Sequence, residues 1–145
     1  RVDHEGEIDV HGMHWAIREG KAAKKGRGRT RSRAKVDSLV LTKFTDASSP
    51  YLALSSMQGR SLPEAVLAVR KDSGEAHLDY LIITMTNVAI VGFEMDNDGS
   101  DAAGNQITER VSLAFEKVSM KYTVQADDHS AGDEHEIEFD IAAGV

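Results

Sequence analysis

Apolar and polar residues alternate with a period of two along most of the chain, which is typical of β-strands that bury one face. The phase of this alternation changes at Gly12, between Val10 and Met13, and predicts a β-bulge there. A second phase change, near Glu116 and Lys117, predicts another bulge or a sharp bend. The alternation predicts an all-β chain of about seven short strands, with strand segments in residues 8–17, 36–44, 65–69, 78–91, 111–124 and 137–141.

One short helix is predicted between the second and third of these segments. Ser49 is a suitable N-cap, Pro50 fits the first helical position, and Gly59 supplies a C-terminal stop. Leu54 and Met57 lie three residues apart and therefore share a face of this helix. Because a helix of about three turns is unstable alone, we expect it to pack on a sheet.

The segment 78–91 is apolar at both odd and even positions, unlike the other strands. A strand of this kind is either covered on both faces or forms part of a subunit interface. Asn87 interrupts it, and we expect a bend there rather than a functional site. The segment therefore supplies four candidates for core or subunit-interface residues, namely Leu81, Ile83, Met85 and Ile90.

The length of 145 residues suits one domain, and we assign residues 1–145 to it. A chain of this size buries roughly 70% of its unfolded surface and needs no metal or disulfide to fold. The chain contains no cysteine, which excludes disulfides, thiol nucleophiles and Cys-ligated zinc. No apolar run is long enough for a membrane-spanning helix, and the first residues lack the hydrophobic core of a signal peptide. We therefore expect synthesis in the cytoplasm without a leader.

Charge is distributed unevenly, although the net charge of the whole chain is only −7. Residues 18–35 form a basic loop that holds nine of the 17 basic residues and one acid. Residues 127–140, by contrast, hold seven acids and no Lys or Arg. A basic loop on an acidic body can bind nucleic acid, membrane phosphate or an acidic protein surface, or it can be a solvated loop without a partner.

No arrangement of residues indicates catalysis or a resident metal. His11 and His14 have a metal-like spacing, but residues three apart on a strand face opposite sides. The acidic turn DNDGSD lacks the full ligand spacing of a calcium loop, and the chain has no nucleotide-binding or hydrolase motif. We therefore expect no enzyme activity, no catalytic residue, no metal and no cofactor.

The chain resembles the Hcp family, the inner-tube proteins of bacterial type VI secretion systems. The resemblance rests on an ordered set of segments that runs from His4 to Gly144, none of which is a catalytic signature. Members of the family usually carry a further strand before the first of these segments, and their loop after Trp15 is usually rich in Gly and Ser rather than basic. The segments are HEGEIDV, VDSLVLTKFTDASSPYL, GRSLPEAVLAVRK, YLIITMTNVAIVGF, TERVSLAFEKVSMKYT and FDIAAG.

The resemblance implies a two-sheet β-barrel with one flanking helix, of the type shared with phage tail tubes. It further implies that six copies close into a ring and that rings stack into a tube, which a contractile sheath propels out of the cell. Effector proteins in the lumen and the spike proteins of the machine are the implied partners. The protein would be cytoplasmic before firing and secreted afterwards, without inserting into a membrane.

Two alternative functions fit the same sequence. A tube protein of a phage-like particle shares the architecture. A nucleic-acid-binding β-barrel would use the basic loop for affinity, but the loop contains no aromatic residue to stack on bases, and nucleic acid is the less favoured partner.

For the tube protein, the basic loop has a specific predicted role. By resemblance it projects toward the next ring, where we expect it to dock on acidic surface and to guide stacking. The predicted stacking residues are Lys21, Lys24, Lys25, Arg27, Arg29, Arg31 and Arg33. The predicted acidic counter-surface is Glu94, Asp96, Asp98 and Asp101, with residues 127–138 as a second acidic candidate.

Overall fold

The computed structural model of the chain describes residues 6–20, 34–73, 76–97, 106–128 and 130–145, with backbone alone at 72, 73, 76 and 77. Within these ranges the chain forms one helix and eight strands. The helix is α1 (Ser49–Gln58), and the strands are β1 (Gly12–His14), β2 (Ile17–Arg18), β3 (Lys35–Val36), β4 (Leu39–Phe44), β5 (Ser61–Ser73), β6 (Ala76–Asp96), β7 (Thr108–Gln125) and β8 (Ala131–Asp140).

Six strands form one sheet and two form another. The larger sheet has the order β1-β4-β7-β6-β5, with β8 also paired to β7, and β2 pairs with β3. β7 takes two successive antiparallel partners: β4 pairs with it from Thr108 to Leu113, and β8 pairs with it from Lys117 to Gln125. The all-β prediction with one short helix is confirmed. In the described residues, the strand order is an open path rather than a closed barrel.

The backbone of the chain divides into two compact units. The first unit comprises Arg1–Ser61 and Ala89–Ala114, and the second comprises Leu62–Val88 and Phe115–Val145. Of the three boundaries, one follows the first residue of β5, and the other two fall well inside β6 and β7, so each of these two strands contributes a segment to both units. The single domain expected from chain length stays a prediction.

The buried face of β6 changes parity at Asn87. Ile83 and Met85 are buried before it, and Val88 and Ile90 are buried after it. In the described part of the chain, Asn87 is the one non-glycine residue with a positive φ, at 54°. Its left-handed backbone inserts one extra residue into the strand, and the expected irregularity is therefore present.

β7 changes parity in the same way. Val111 and Leu113 are buried before the change and Val118 after it, so the buried face switches around Glu116. The Asn87 side-chain amide donates a hydrogen bond of 2.9 Å to Oε1 of Glu116. The register shift in the β7–β8 pairing lies elsewhere, between residues 123 and 125. The phase change near Glu116 coincides with the change of partner from β4 to β8.

The predicted bulge at Gly12 is wrong. Gly12 is the first residue of β1 and pairs in continuous register with Thr42 of β4. Residues 7–11 are not assigned to a strand, and Ile8 is 43% exposed. The alternation therefore changes phase where a strand begins.

α1 begins at Ser49 and ends before Gly59, as its sequence predicts, but Ser49 is not its N-cap. Ser48 occupies that position, so Pro50 falls one residue further into the first turn. Gly59 adopts φ 64°, and its N–H donates to the Ser56 carbonyl at 3.2 Å. Ser49 is instead buried, and its hydroxyl contacts Lys43 beneath the helix. We call this polar contact between α1 and the strands below it the seat of the helix.

Candidate functional site

A buried ion pair lies beneath α1 in the first unit. Lys43 is 1% exposed, and its Nζ donates to Oε1 of Glu109 at 2.8 Å and to Oδ1 of Asp46 at 3.1 Å. The same ammonium donates to the Phe44 carbonyl at 2.9 Å and lies 3.3 Å from the Ser49 hydroxyl. β4 carries Lys43 and β7 carries Glu109, at directly paired positions of the two strands. This arrangement fixes the first turn of α1 to two strands.

The electrostatics of this cluster favour ionised carboxylates. Burial by itself raises the pKa of Glu109, but hydrogen bonds from Lys43, Ser49 and Thr45 and the Lys43 charge outweigh it, so the pKa lies below its ordinary value. For Asp46 the raising effect of burial is likewise outweighed, chiefly by hydrogen bonds from Ser48 and Lys43, and its pKa is also lowered. Both carboxylates therefore remain charged at neutral pH.

The ion pair has the chemistry of a structural contact. Its cation is enclosed by the chain, and its contacts are internal. The pair is not among the residues predicted from the sequence, although one signal was present. Lys43 follows Leu39 and Leu41 at the inward positions of β4, where an apolar residue is expected.

Three large apolar side chains of α1 are exposed to water. Tyr51 is 72% exposed, Leu54 45% and Met57 78%, and the helix contains no charged residue. These three residues recur every three positions and form a continuous stripe, which we call the helix stripe. An uncharged helix with a polar seat and an apolar outer stripe is suited to a protein partner.

In the second unit, β8 pairs with the C-terminal part of β7 as a branch of the larger sheet, and we call this strand pair the ribbon. On one face, Tyr122 is 46% exposed, Val124 39% and Ile137 59%; we call these three residues the ribbon face. The Tyr122 ring makes an edge-to-face contact with Tyr80, with centroids 6.0 Å apart. Beside it lies a groove of about 450 Å³, lined by Lys71, Tyr80, Tyr122, Thr123, Val124 and Gln125.

The opposite face of the ribbon is charged. Lys117 Nζ lies 3.9 Å from Oδ2 of Asp140, and Lys121 Nζ lies 3.9 Å from Oε2 of Glu134. The acids of the segment 127–138 that β8 contributes are exposed. Charge and apolar surface are therefore segregated to the two faces of one ribbon.

The predicted core or interface residues of β6 are mostly core. Ile83 and Met85 are each 1% exposed and Ile90 is 4% exposed, while Leu81 is partly exposed. They are thus covered by the chain itself. Among the exposed apolar side chains of the described residues, those of the helix stripe and of the ribbon face form two groups that were not predicted as sites from the sequence.

The predicted stacking residues, Lys21 to Arg33, lie outside the described residues. The ends of the basic loop are described, and they pair as β2 and β3, with Arg18 opposite Lys35. Arg18 Nε lies 2.9 Å from Oδ2 of Asp37, and the Trp15 indole N–H donates to the Asp37 carbonyl at 2.9 Å. The loop therefore starts and ends on a short antiparallel pair.

The predicted acidic counter-surface is described only in part. Glu94 and Asp96 are both exposed, and both contact Arg110, which lies 3.7 Å from Oδ2 of Asp96 and hydrogen-bonds Glu94. Asp98 and Asp101 lie outside the described residues. Arg110 compensates part of the negative charge of this surface.

Metal ligands do not assemble in the described part of the chain, where no group of three or more His, Asp or Glu side chains could hold an ion. The His11 ring, one of the metal candidates considered, packs on Phe44 with centroids 4.4 Å apart. None of the helical segments among the described residues is long and apolar enough to cross a membrane.

The chain matches the family model described as type VI secretion system effector, Hcp, over residues 1–122. It belongs to the Hcp family. Protein hcp1 of Pseudomonas aeruginosa is 34% identical over 93 residues, which cover 64% of this chain and 56% of that relative. The aligned region thus spans a little over half the length of this Hcp relative.

Solved Hcp structures share the fold. The crystal structure of Hcp1 from Salmonella typhimurium is 25% identical and superimposes with a TM-score of 0.79, covering 98% of this chain and 85% of that one. The structure of a type six secretion system protein superimposes with a TM-score of 0.85 over 99% of this chain and 88% of that one. At 21% identity, the second comparison shows the fold alone.

Proposed function

We propose that this chain is a non-enzymatic structural subunit of a type VI secretion tube. Six copies form a ring, rings stack into a tube, and a contractile sheath propels the tube out of the cell. The observation that carries the proposal is the family match over residues 1–122. The fold shared with Hcp1 from Salmonella typhimurium over 98% of the chain supports it.

The surface of the chain supports an assembling protein. The helix stripe and the ribbon face expose large apolar side chains that a monomer leaves in water. A subunit with two different apolar surfaces can form heterologous contacts with its neighbours. Such contacts close into a ring when the rotation between successive subunits allows it. Effector proteins in the lumen and the sheath and spike of the machine are the further partners that we propose.

We also propose that the protein is cytoplasmic before firing and extracellular afterwards. The test is secretion from a bacterium that encodes the chain, with an intact machine and with its sheath gene deleted. The protein is expected in the culture supernatant of the first strain only. Equal release from both strains, or release only upon lysis by a phage-like particle, would contradict a type VI role.

Stacking of rings is the proposed role of the basic loop. Single exposed ion pairs contribute only about 0–1 kcal/mol, so stacking must depend on many pairs repeated around a ring. The pairing must also be close, because charges are screened over about 8 Å at physiological salt. We therefore expect stacks to dissociate at high salt while rings, held by apolar burial, persist.

Sedimentation across a salt series tests this role. The variant replaces six basic residues by Ser, and the control replaces Lys117 and Lys121, which lie on the ribbon, by Ser. Stacks should be lost in the variant and kept in the control. Stacking that is unchanged by both salt and the variant would exclude the loop. The six substituted residues are Lys24, Lys25, Arg27, Arg29, Arg31 and Arg33.

A further inference from the structure

The helix stripe has the properties of one half of a subunit contact. Most of the Tyr51 and Met57 side chains is in water, and no charge on α1 would have to be desolvated when a partner covers it. The buried ion pair at Lys43 fixes the first turn of the helix, so the stripe is held in place before a partner binds. A surface that is already ordered loses less conformational entropy when a partner binds.

The ribbon face has the properties of the other half. Tyr122, Val124 and Ile137 lie on one face of two paired strands, and the Tyr122 ring is held by its contact with Tyr80. The groove of about 450 Å³ beside Tyr122 makes this surface concave. A volume of this size accommodates one or two large side chains of a partner.

The two surfaces share their apolar chemistry and differ in form. The helix stripe is a row of exposed apolar side chains on an uncharged helix, whereas the ribbon face has a groove beside Tyr122 that can receive such side chains. They lie in different units of the same chain, so a contact between them in two copies is heterologous and leaves one surface of each kind open for further copies. We propose that the helix stripe of one copy docks on the ribbon face of the next copy and that this contact closes the ring. The proposal rests on the ring function proposed above.

A few side chains suffice for such a contact. A stable interface buries roughly 800 Å² on each partner, and a small central set of large side chains usually contributes most of its binding energy. Tyr51, Leu54 and Met57 on the helix stripe, and Tyr122 and Ile137 on the ribbon face, are the large exposed side chains available for this central set. Their polar surroundings then form the rim, where substitutions have little effect.

Two double variants test the contact. The stripe variant carries Leu54→Ser and Met57→Ser, and the ribbon variant carries Tyr122→Ser and Ile137→Ser. Each should remain folded by circular dichroism, because all four side chains are exposed, and each should need roughly tenfold or more higher concentration to assemble. Val66→Ser with Val91→Ser is the matched control, since both side chains are 57% exposed and belong to neither surface; it should assemble like the wild type.

Mixing the two variants tests the pairing of the two surfaces more directly than either variant alone. At the concentration at which the wild type just assembles, each variant keeps one intact surface, so the mixture should form heterodimers and stop there, whereas either variant alone stays monomeric. Ring formation in either double variant alone at that concentration would overturn the proposed contact. If the wild-type chain itself forms no ring, the proposed function fails before the variants are compared, so the two failures are distinguishable.

Cysteine cross-linking provides a second readout that does not depend on loss of assembly. The chain has no cysteine, so Met57→Cys and Val124→Cys introduce single thiols without background. Under oxidation, the chain that carries both substitutions should give a ladder of covalent oligomers, while each single variant should give at most a faint dimer. A strong dimer from Met57→Cys alone, or no ladder from the double variant at assembling concentrations, would contradict the proposal.

Discussion

Lys43 is the residue whose position departs most from its ordinary chemistry. A lysine is almost never fully buried unless it is paired, and here the ammonium has two carboxylates within 3.1 Å. The sequence shows a lysine inside an alternating strand, but alternation alone does not identify the partner. Glu109 is 66 residues away along the chain, and only the register of β4 with β7 places it opposite Lys43.

Replacing Lys43 by Met tests the pair. The substitution leaves the Glu109 carboxylate buried without its cation, and we expect the free energy of unfolding to fall by about 3–5 kcal/mol. Urea denaturation followed by circular dichroism measures the change. Adding Glu109→Leu should recover much of the loss, and Lys117→Met, at an exposed site, should change stability by less than about 1 kcal/mol. A loss that small in Lys43→Met would contradict the account.

The lowered pKa of Glu109 predicts a stability that depends on acid pH. Because the folded-state pKa lies below that of the unfolded chain, ionised Glu109 stabilises the fold fully above the unfolded value, about 4.3. This contribution is lost as pH falls through the lower folded value. Unfolding free energies from pH 6 to pH 3 should therefore fall less steeply in Glu109→Gln than in the wild type. Parallel curves would show that Glu109 does not titrate in this way.

At the scale of elements, the sequence predicts whether a segment is a helix or a strand better than it predicts which way that element faces. The helix bounds follow from Pro50 and Gly59, and most strand segments follow from alternation. The direction in which α1 faces could not be predicted, because its seat is polar and assembled from β4 and β7. Three of its apolar residues, Tyr51, Leu54 and Met57, are exposed, although the apolar residues of most surface helices face the core.

Asn87 marks the position where β6 changes its buried face, and its backbone permits a test. A β-branched residue is disfavoured at φ 54° by about 1–2 kcal/mol, whereas Gly adopts it freely. Both Asn87→Val and Asn87→Gly lose the hydrogen bond to Glu116, so comparing them isolates the backbone. We expect Asn87→Val to unfold at lower urea than Asn87→Gly. The opposite order, which strand propensity alone predicts, would show that the left-handed conformation is not required.

At the scale of the whole molecule, the ordered set of segments indicated the family, and the match over residues 1–122 shows it. Composition and periodicity alone predict only an all-β chain whose charged residues are unevenly distributed along the sequence. The open surfaces could not be predicted, because the two-sided apolar pattern leaves Ile83 as either a core or an interface residue, and alternation marks Ile137 only as a strand residue that faces one side. Only the fold shows that the first is 1% exposed and the second 59%.

The mass of the purified chain in solution tests the central claim most directly. Light scattering on a size-exclusion column, with negative-stain images of the same peak, gives the number of copies and their arrangement. We predict a species of six times the chain mass of 15.8 kDa, seen as rings with an open centre. A species of 15.8 kDa that persists at the highest soluble concentration would contradict the account.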